Sequence, residues 1–223
     1  MKKRVVLLSG GIDSTTCLAL AKEDESEVIA LNVYYGQRHA KEIESARAVA
    51  DYYGVELIEL NMESIFERSN CSLLKHSNKQ IEEKAYSEQK RENGKPVETY
   101  VPFRNGLMLS AATAIALSVD ASEVWYGAHA DDVAGSAYPD CSLEFVRAMN
   151  NAVNEGTANQ IKVIAPFVSV NKAEVVREGI RLKAPYHLTW SCYEGGEHPC
   201  GTCGTCIDRA EAFRKNGIED PVK

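Results

Sequence analysis

Residues 4–16 read Arg-Val-Val-Leu-Leu-Ser-Gly-Gly-Ile-Asp-Ser-Thr-Thr. The apolar run Arg4–Leu8 is typical of a buried strand, and Thr15–Ala21 is predicted to be the helix that follows it. The two adjacent glycines between them let the backbone turn tightly and approach a ligand closely. A helix that begins directly after such a loop presents unpaired N–H groups and the positive end of its dipole, which favour an anion. The stretch therefore predicts a strand–loop–helix unit that binds phosphate.

Two other phosphate-binding loops do not fit this stretch. A Walker loop requires a Lys before its Ser or Thr, and residues 9–16 contain no Lys. A dinucleotide-binding loop requires Gly-x-Gly-x-x-Gly, whereas these residues contain two adjacent glycines only. A glycine-rich turn without any ligand stays open as the alternative interpretation.

The alternation of strand and helix continues along the chain. Further strands are predicted at Glu27–Tyr34, Val55–Leu60, Glu123–Ala128 and Ile161–Ala165. Helices are predicted from His39 to Gly54, from Asn105 as N-cap to Val119, after the N-cap Ser142, and after Asn171 with Glu174 as its capping-box partner. This order indicates an α/β fold with a doubly wound, mostly parallel five-stranded sheet, so we expect ligands beyond the carboxyl ends of the strands.

Composition excludes several classes of protein. The chain has 223 residues, a net charge of −7 and 44% hydrophobic residues, values that fit a globular protein with a sizeable core and not a disordered one. The acidic balance argues against a general nucleic-acid binder, which needs a basic face. The apolar run near the N-terminus is too short for a signal peptide or a membrane span, so we expect a cytoplasmic protein without a membrane partner.

The segment 68–98 interrupts the regular pattern, because it is polar and rich in Lys, Glu, Ser and Asn. We interpret it as a surface insertion, and a lid over the site is the other interpretation that fits.

Seven cysteines are unevenly distributed. Three are scattered, and Cys17 and Cys141 among them are interpreted as small packed side chains. The other four follow the spacing C-x7-C-x2-C-x2-C near the end of the chain, where four thiolates among glycines predict a closed tetrahedral zinc site with a structural role. An iron–sulfur site and a redox-active C-x-x-C pair stay open as alternatives. The four predicted metal ligands are Cys192, Cys200, Cys203 and Cys206.

We therefore divide the chain into a main domain, residues 1–186, and a C-terminal segment, residues 187–223, that zinc staples to it. The helix after the last of these cysteines is predicted to dock with Ile207, Ala210 and Phe213 facing inward.

The string Ser-Gly-Gly-x-Asp-Ser after the first strand resembles the signature of the PP-loop ATP pyrophosphatase superfamily. The resemblance implies that ATP is a cosubstrate, that Asp13 positions Mg²⁺, and that Ser9 and Ser14 bind phosphate. Asp13 and Ser14 are therefore predicted catalytic residues. The implied ATP loop consists of Leu8, Ser9, Gly10, Gly11, Ile12, Asp13, Ser14, Thr15, Thr16, Cys17 and Leu18.

Further motifs narrow the resemblance. Residues 35–39 (Tyr-Gly-Gln-Arg-His), 101–105 (Val-Pro-Phe-Arg-Asn), 127–132 (Gly-Ala-His-Ala-Asp-Asp) and 138–141 (Tyr-Pro-Asp-Cys) look like the 7-cyano-7-deazaguanine synthase family, as does the cysteine cluster. The family makes the nitrile precursor of queuosine from 7-carboxy-7-deazaguanine, ammonia and ATP. The resemblance implies a zinc-containing homodimer that acts on small molecules through an adenylated carboxylate and an adenylated amide.

Charged and aromatic side chains in the loops after strands complete the predicted site. Arg104 and Lys172 are predicted catalytic cations, since phosphate charge develops during the reaction. Arg38, Tyr138 and Asp140 are predicted to bind the substrate: Arg38 through phosphate or carboxylate, Tyr138 by stacking, and Asp140 by accepting N–H groups of the guanine-like base. For each of these charged groups a purely structural role, as a solvated charge or as turn and helix-cap chemistry, stays open.

Two other functions stay open at this level. A PP-loop tRNA sulfur transferase would use the same activation on a nucleobase, but it predicts a basic surface that the net charge of −7 does not favour. A non-catalytic, zinc-stapled ATP-binding protein would bind nucleotide and release no pyrophosphate.

Overall fold

The computed structural model describes residues 2–84 and 96–222. Its strands are β1 (Lys3–Leu7), β2 (Glu27–Tyr34), β3 (Glu56–Asn61), β4 (Glu123–Trp125) and β5 (Lys162–Ile164). They form one five-stranded sheet in the order β3-β2-β1-β4-β5, and every neighbouring pair is parallel. The predicted doubly wound α/β sheet is thus confirmed.

Helices cover both faces of the sheet. They are α1 (Ile12–Ala21), α2 (Lys41–Tyr53), α3 (Arg104–Ser118), α4 (Leu143–Gly156), α5 (Lys172–Arg181) and α6 (Gly204–Lys215). Along β1 the side chains alternate, so Val5 packs in a cluster with α3 and α4 while Val6 packs in a second cluster with α1, α2 and α5. Both valines are fully buried, as expected for a parallel sheet between two helical layers.

Local sequence signals place some helix ends correctly. The Ser142 side chain accepts a hydrogen bond from the Phe145 N–H at the start of α4, and Asn171 with Glu174 forms the predicted capping box of α5. The predicted cap Asn105 is wrong, because α3 begins at Arg104. The Asn105 N–H is instead bound at 2.9 Å by Oδ2 of Asp140, so a distant carboxylate supplies the cap.

Helix α6 docks with Phe213 facing inward, as predicted, but with Ala210 facing outward. Ala210 is exposed and Ile207 only half-buried, whereas Ala212 and Phe213 are buried. Phe213 packs edge to face on Tyr186 at 5.4 Å between ring centroids, beside Ile12. The reason is helix phase: the buried Cys206 and Arg209 lie on the same face as Phe213, and this face turns Ala210 outward.

Residues 85–95 of the polar insertion lie outside the described residues. In the part before them, Leu73 and Leu74 are buried, and the Leu73 carbonyl accepts a hydrogen bond from the Arg38 N–H. The first part of the insertion therefore packs on the loop that follows β2. Along the described chain, no helix combines the length and the apolar character needed to cross a membrane.

Candidate active site

A cavity of about 230 Å³ opens at the carboxyl ends of the strands. It lies at the switch point between β1 and β4, where the chain leaves toward opposite sides of the sheet, which is the usual ligand position in this architecture. The loops after β1, β2 and β4 line it together with the start of α3 and residues 190–193. The cavity thus lies at the edge of the sheet where the sequence predicts a ligand site.

The loop after β1 forms one end of this cavity. Gly10 adopts φ +87° and packs so closely on α2 that a Cβ at this position would lie 2.4 Å from the Glu42 carbonyl oxygen. Ser9 and Ser14 are linked by an Oγ–Oγ hydrogen bond of 3.0 Å, and Ser14 also donates to the Gly11 carbonyl. Gly11 caps α1 without any side-chain bond, and the N–H groups of Ile12 and Asp13 have no acceptor among residues 2–84 and 96–222, so they are available to a ligand.

A charged cluster stands beside this loop. Nζ of Lys172 lies 3.0 Å from Oδ2 of Asp13, and Nε2 of the buried His129 lies 3.7 Å from the same oxygen. The same Nε2 lies 3.3 Å from Oδ1 of Asp132, so one ring nitrogen of His129 faces both carboxylates. The cluster joins the loops after β1 and β4 to the N-terminus of α5.

This cluster holds its groups in their charged forms. Burial by itself raises the pKa of Asp13, but Lys172 and His129 outweigh it and hold this pKa well below its usual range. Burial lowers the pKa of Lys172, yet Asp13 and Asp132 raise it above its usual value overall. The pKa of His129 is raised in the same way, with Asp132 and Asp13 opposing the effect of burial.

The other end of the cavity is aromatic and contains a guanidinium group. Nη1 of Arg104 donates to the Tyr35 hydroxyl at 3.1 Å, and its Cζ lies 5.0 Å from the centroid of the same ring. Burial disfavours the charge of Arg104, but Tyr35 and Asp140 more than compensate, so its pKa lies above the ordinary value. Arg104 forms no ion pair with any carboxylate of residues 2–84 and 96–222, which leaves it available to an anionic ligand. The aromatic lining residues are Tyr35, Tyr126, Tyr138, Trp190 and Tyr193.

The four bunched cysteines converge as a tetrahedral site requires. Their sulfur atoms all lie within 4.8 Å of one another. The backbone N–H of Cys200 donates to the sulfur of Cys192, and the N–H of Cys203 donates to the sulfur of Cys200, both at 3.3 Å. Hydrogen bonds to the sulfur of Cys203, first the one from the Cys206 thiol, lower the pKa of this residue. A closed four-sulfur set fits Zn²⁺ in a structural role.

Comparison with known proteins identifies the family. The family model described as "Queuosine biosynthesis protein QueC" matches residues 3–217. The chain belongs to this family. A relative from Archaeoglobus fulgidus is 44% identical over 99% of this chain and 89% of its own length, and one from Methanoculleus marisnigri is 43% identical over 100% and 99%. Both relatives are named 7-cyano-7-deazaguanine synthase. Among the functions considered above, these matches favour the synthase.

The fold is shared more widely. The structure of NMN synthetase from Francisella tularensis aligns with a TM-score of 0.54 at 15% identity, over 97% of this chain and 77% of that one. At this identity the likeness shows the fold alone.

Most predicted ATP-loop residues of this QueC-family chain face the cavity, and the later ones do not. Leu8, Ser9 and Gly11–Ser14 line it, and Gly10 makes the turn behind them. Thr15 to Leu18 are buried within α1, where the Thr16 hydroxyl bonds the Ile12 carbonyl and the Tyr186 hydroxyl. Their predicted contact with ATP stays a prediction, and the structure gives them a packing role.

Two predicted substrate residues lie away from the cavity lining. The Arg38 guanidinium donates to the Lys79 carbonyl, and Asp140 is buried behind the lining, where it caps α3. Their contact with substrate stays a prediction. Tyr138 does line the cavity, and its hydroxyl bonds that of Thr99 at 2.6 Å. Cys141, expected to be only a packed side chain, is buried and also lines the cavity.

Sequence reasoning missed several lining residues. Glu42 looks like an ordinary acidic residue in the first turn of a helix, and nothing in its neighbourhood along the chain marks it. Trp190 and Tyr193 flank the first cysteine, so the sequence assigns them only to the zinc segment. The backbone N–H of Trp190 donates to the Gly10 carbonyl at 2.9 Å. The segment that carries the cysteines therefore also forms one wall of the cavity.

Proposed function

We propose that this protein is an ATP-dependent carbon–nitrogen ligase that converts 7-carboxy-7-deazaguanine and ammonia into 7-cyano-7-deazaguanine. The observation that carries the proposal is the joining of two sites in one cavity. A phosphate-binding loop with a cation forms one end, and an aromatic wall with an available guanidinium forms the other. Such a cavity suits the transfer of AMP from ATP to an anionic aromatic substrate.

The chemistry explains why two ATP molecules are needed. A carboxylate resists a nucleophile and has no good leaving group, so its oxygen first attacks the α-phosphorus of ATP and pyrophosphate leaves. Ammonia then displaces AMP and loses a proton, which yields the amide. The amide oxygen attacks a second ATP in the same way. Loss of AMP and of the remaining N–H protons completes the nitrile, and the cavity has to hold the acid and the amide in one orientation.

The position of each residue in the cavity suggests its role in these steps. The main-chain N–H groups at the start of α1, with Ser9 and Ser14, would hold phosphate oxygens. Lys172 would stabilise the charge that develops on the departing pyrophosphate. Arg104 would hold the carboxylate of the substrate, since it is the cation at the aromatic end of the cavity.

Asp13 fits a magnesium ion. Its Oδ1 is buried and has no hydrogen-bond partner among the described residues, while its Oδ2 is occupied by Lys172. A carboxylate oxygen of this kind suits a hard cation, which would neutralise charge on the phosphates when bound. Lys172 and His129 keep this carboxylate ionised and hold its Oδ2 in place.

The cysteine cluster would hold Zn²⁺ as a structural ion and thereby keep the wall formed by Trp190 and Tyr193 in place. We further propose a homodimer located in the cytoplasm. Sedimentation equilibrium of the purified protein would reveal a dimer, and a monomer at micromolar concentration would contradict it.

A direct assay tests the function. Purified protein is incubated with ATP, Mg²⁺, ammonium and 7-carboxy-7-deazaguanine, and the products are analysed by mass spectrometry. We expect the nitrile together with AMP and pyrophosphate, and we expect Asp13→Asn to abolish the reaction. Glu44→Gln, an exposed position in α2, is the matched control and should retain activity. Failure of the unmodified protein to form any amide or nitrile would refute the proposal.

A further inference from the structure

Three carboxylates line the cavity, and their pairing differs. Asp13 is paired with Lys172 at 3.0 Å, and Asp132 is paired with His129 at 3.3 Å. Glu42 forms neither an ion pair nor a side-chain hydrogen bond with any residue in the two described stretches of the chain. It is therefore the one lining carboxylate in those stretches with both oxygens available to a ligand, since Asp13 keeps only its Oδ1 unpaired.

The position of Glu42 is fixed by the fold. It lies in the first turn of α2, and its carbonyl oxygen packs against Gly10. This glycine belongs to the loop after β1, residues 8–14, which is called the phosphate loop below. Its carboxylate interacts electrostatically with Arg104 and with the Tyr35 hydroxyl, which places it at the aromatic end of the cavity. Burial raises the pKa of Glu42 to about 7, with Arg104 opposing the effect. A carboxylate held there without donors is unfavourable, and a ligand that supplies N–H groups would relieve the cost.

We propose that Glu42 accepts the two N–H donors on the pyrimidine edge of the deazapurine, the ring lactam N–H and the 2-amino group, and so determines specificity for a guanine-type base. The inference rests on the proposed function. It pairs each end of the substrate with an available partner: Arg104 with the anionic carboxylate, and Glu42 with the donor edge.

The other acidic candidates fit this task less well. Asp140 is buried behind the lining, and its Oδ2 is occupied by the Asn105 N–H. Asp13 and Asp132 belong to the charged cluster at the phosphate end. A carboxylate is the acceptor that matches two adjacent N–H groups, because it offers two oxygens in one plane.

Substrate discrimination tests the inference. The substrates are 7-carboxy-7-deazaguanine and its hypoxanthine-type analogue, which lacks the 2-amino group. We expect the unmodified protein to favour the guanine-type acid at least about tenfold in kcat/KM, because a charged hydrogen bond to the 2-amino group is lost with the analogue. In Glu42→Gln, KM for the guanine-type acid should rise about ten- to a hundredfold, discrimination should approach unity, and KM for ATP should not change.

Glu42→Asp keeps the charge and should retain discrimination, and Glu44→Gln on the same helix should behave as the unmodified protein. A Glu42→Gln variant that loses kcat while discrimination persists, or in which KM for ammonium rises instead, would overturn the inference and assign Glu42 to the handling of ammonia.

Calorimetry with the two bases, without ATP, separates this inference from the proposed function. Preferential binding of the guanine-type base that Glu42→Gln abolishes would support the inference even if no nitrile forms. Equal affinity for the two bases in the unmodified protein, or no binding of either, would overturn it.

Discussion

Substitution of Gly10 by Ala tests the close packing of the phosphate loop on α2. Two costs are expected at this position. An Ala at φ +87° adopts a left-handed conformation that costs about 1 to 2 kcal/mol. Its Cβ would also lie 2.4 Å from the Glu42 carbonyl oxygen and 2.6 Å from the Ala46 backbone nitrogen, so loop and helix must separate, which adds about 1 to 3 kcal/mol. The free energy of unfolding should therefore fall by about 2 to 5 kcal/mol in total.

Two other glycines separate these costs. Gly54 has φ +60°, and a Cβ added there would meet nothing within 4 Å, so Gly54→Ala should show only the conformational cost of about 1 to 2 kcal/mol. Gly156 closes α4 with equally open space and no positive φ, so Gly156→Ala should be neutral or stabilise the protein by up to about 1 kcal/mol.

Urea denaturation of the three variants measures these differences, and calorimetric titration with ATP shows whether the displaced loop still binds phosphate. We expect Gly10→Ala alone to lose nucleotide affinity. If Gly10→Ala is no less stable than Gly54→Ala, or binds ATP as tightly as the unmodified protein, the argument that close packing shapes this loop is refuted.

Four further predictions concern charge, metal, folding and pH. Arg104→Met should raise KM for the carboxylate substrate about ten- to a hundredfold while calorimetry shows unchanged ATP binding; equal loss of both would contradict its position. Removal of zinc by a chelator should shift Trp190 fluorescence to the red and abolish substrate affinity together, and affinity that survives complete removal would contradict the cavity wall. Arg4→Met should cost about 3 kcal/mol in thermal unfolding because it removes the buried guanidinium that pairs with Glu123, 11% exposed, and leaves that carboxylate only Lys2 and the Trp125 indole, and adding Glu123→Gln should restore part of the loss. Because the pKa of Glu42 is about 7, affinity for the guanine-type base should rise roughly tenfold from pH 6 to pH 8 as the carboxyl ionises, and a flat profile would contradict its role.

Structural features that depend on residues close together in the sequence were predicted well. The strand–loop–helix unit at residues 4–16, the cap Ser142 and the capping box of Asn171 with Glu174 depend on neighbours within a few positions. The four cysteine ligands span only residues 192–206, so their convergence needs little more than turns. The parallel direction of neighbouring strands follows from the helices that connect them, whereas the strand order was not predicted.

Partners that are distant in the chain could not be predicted in this way. The Asp13–Lys172 ion pair joins residues 159 positions apart, and the cap that Asp140 gives α3 comes from another loop. The exposure of Ala210 likewise depends on tertiary packing, because the face of α6 that carries Cys206 and Phe213 is the one that packs against the core.

By itself the sequence determined the architecture, the glycine turn after β1 and the cluster of four cysteines, because hydrophobic period, caps and spacing act over a few residues. Only the tertiary structure decided which carboxylate is available in the cavity. Glu42 and Asp140 are both ordinary acidic residues in the sequence. The packing of α2 against Gly10 leaves the Glu42 carboxylate open to a ligand, whereas the Asp140 carboxylate is already bound by the N–H of Asn105 at the start of α3.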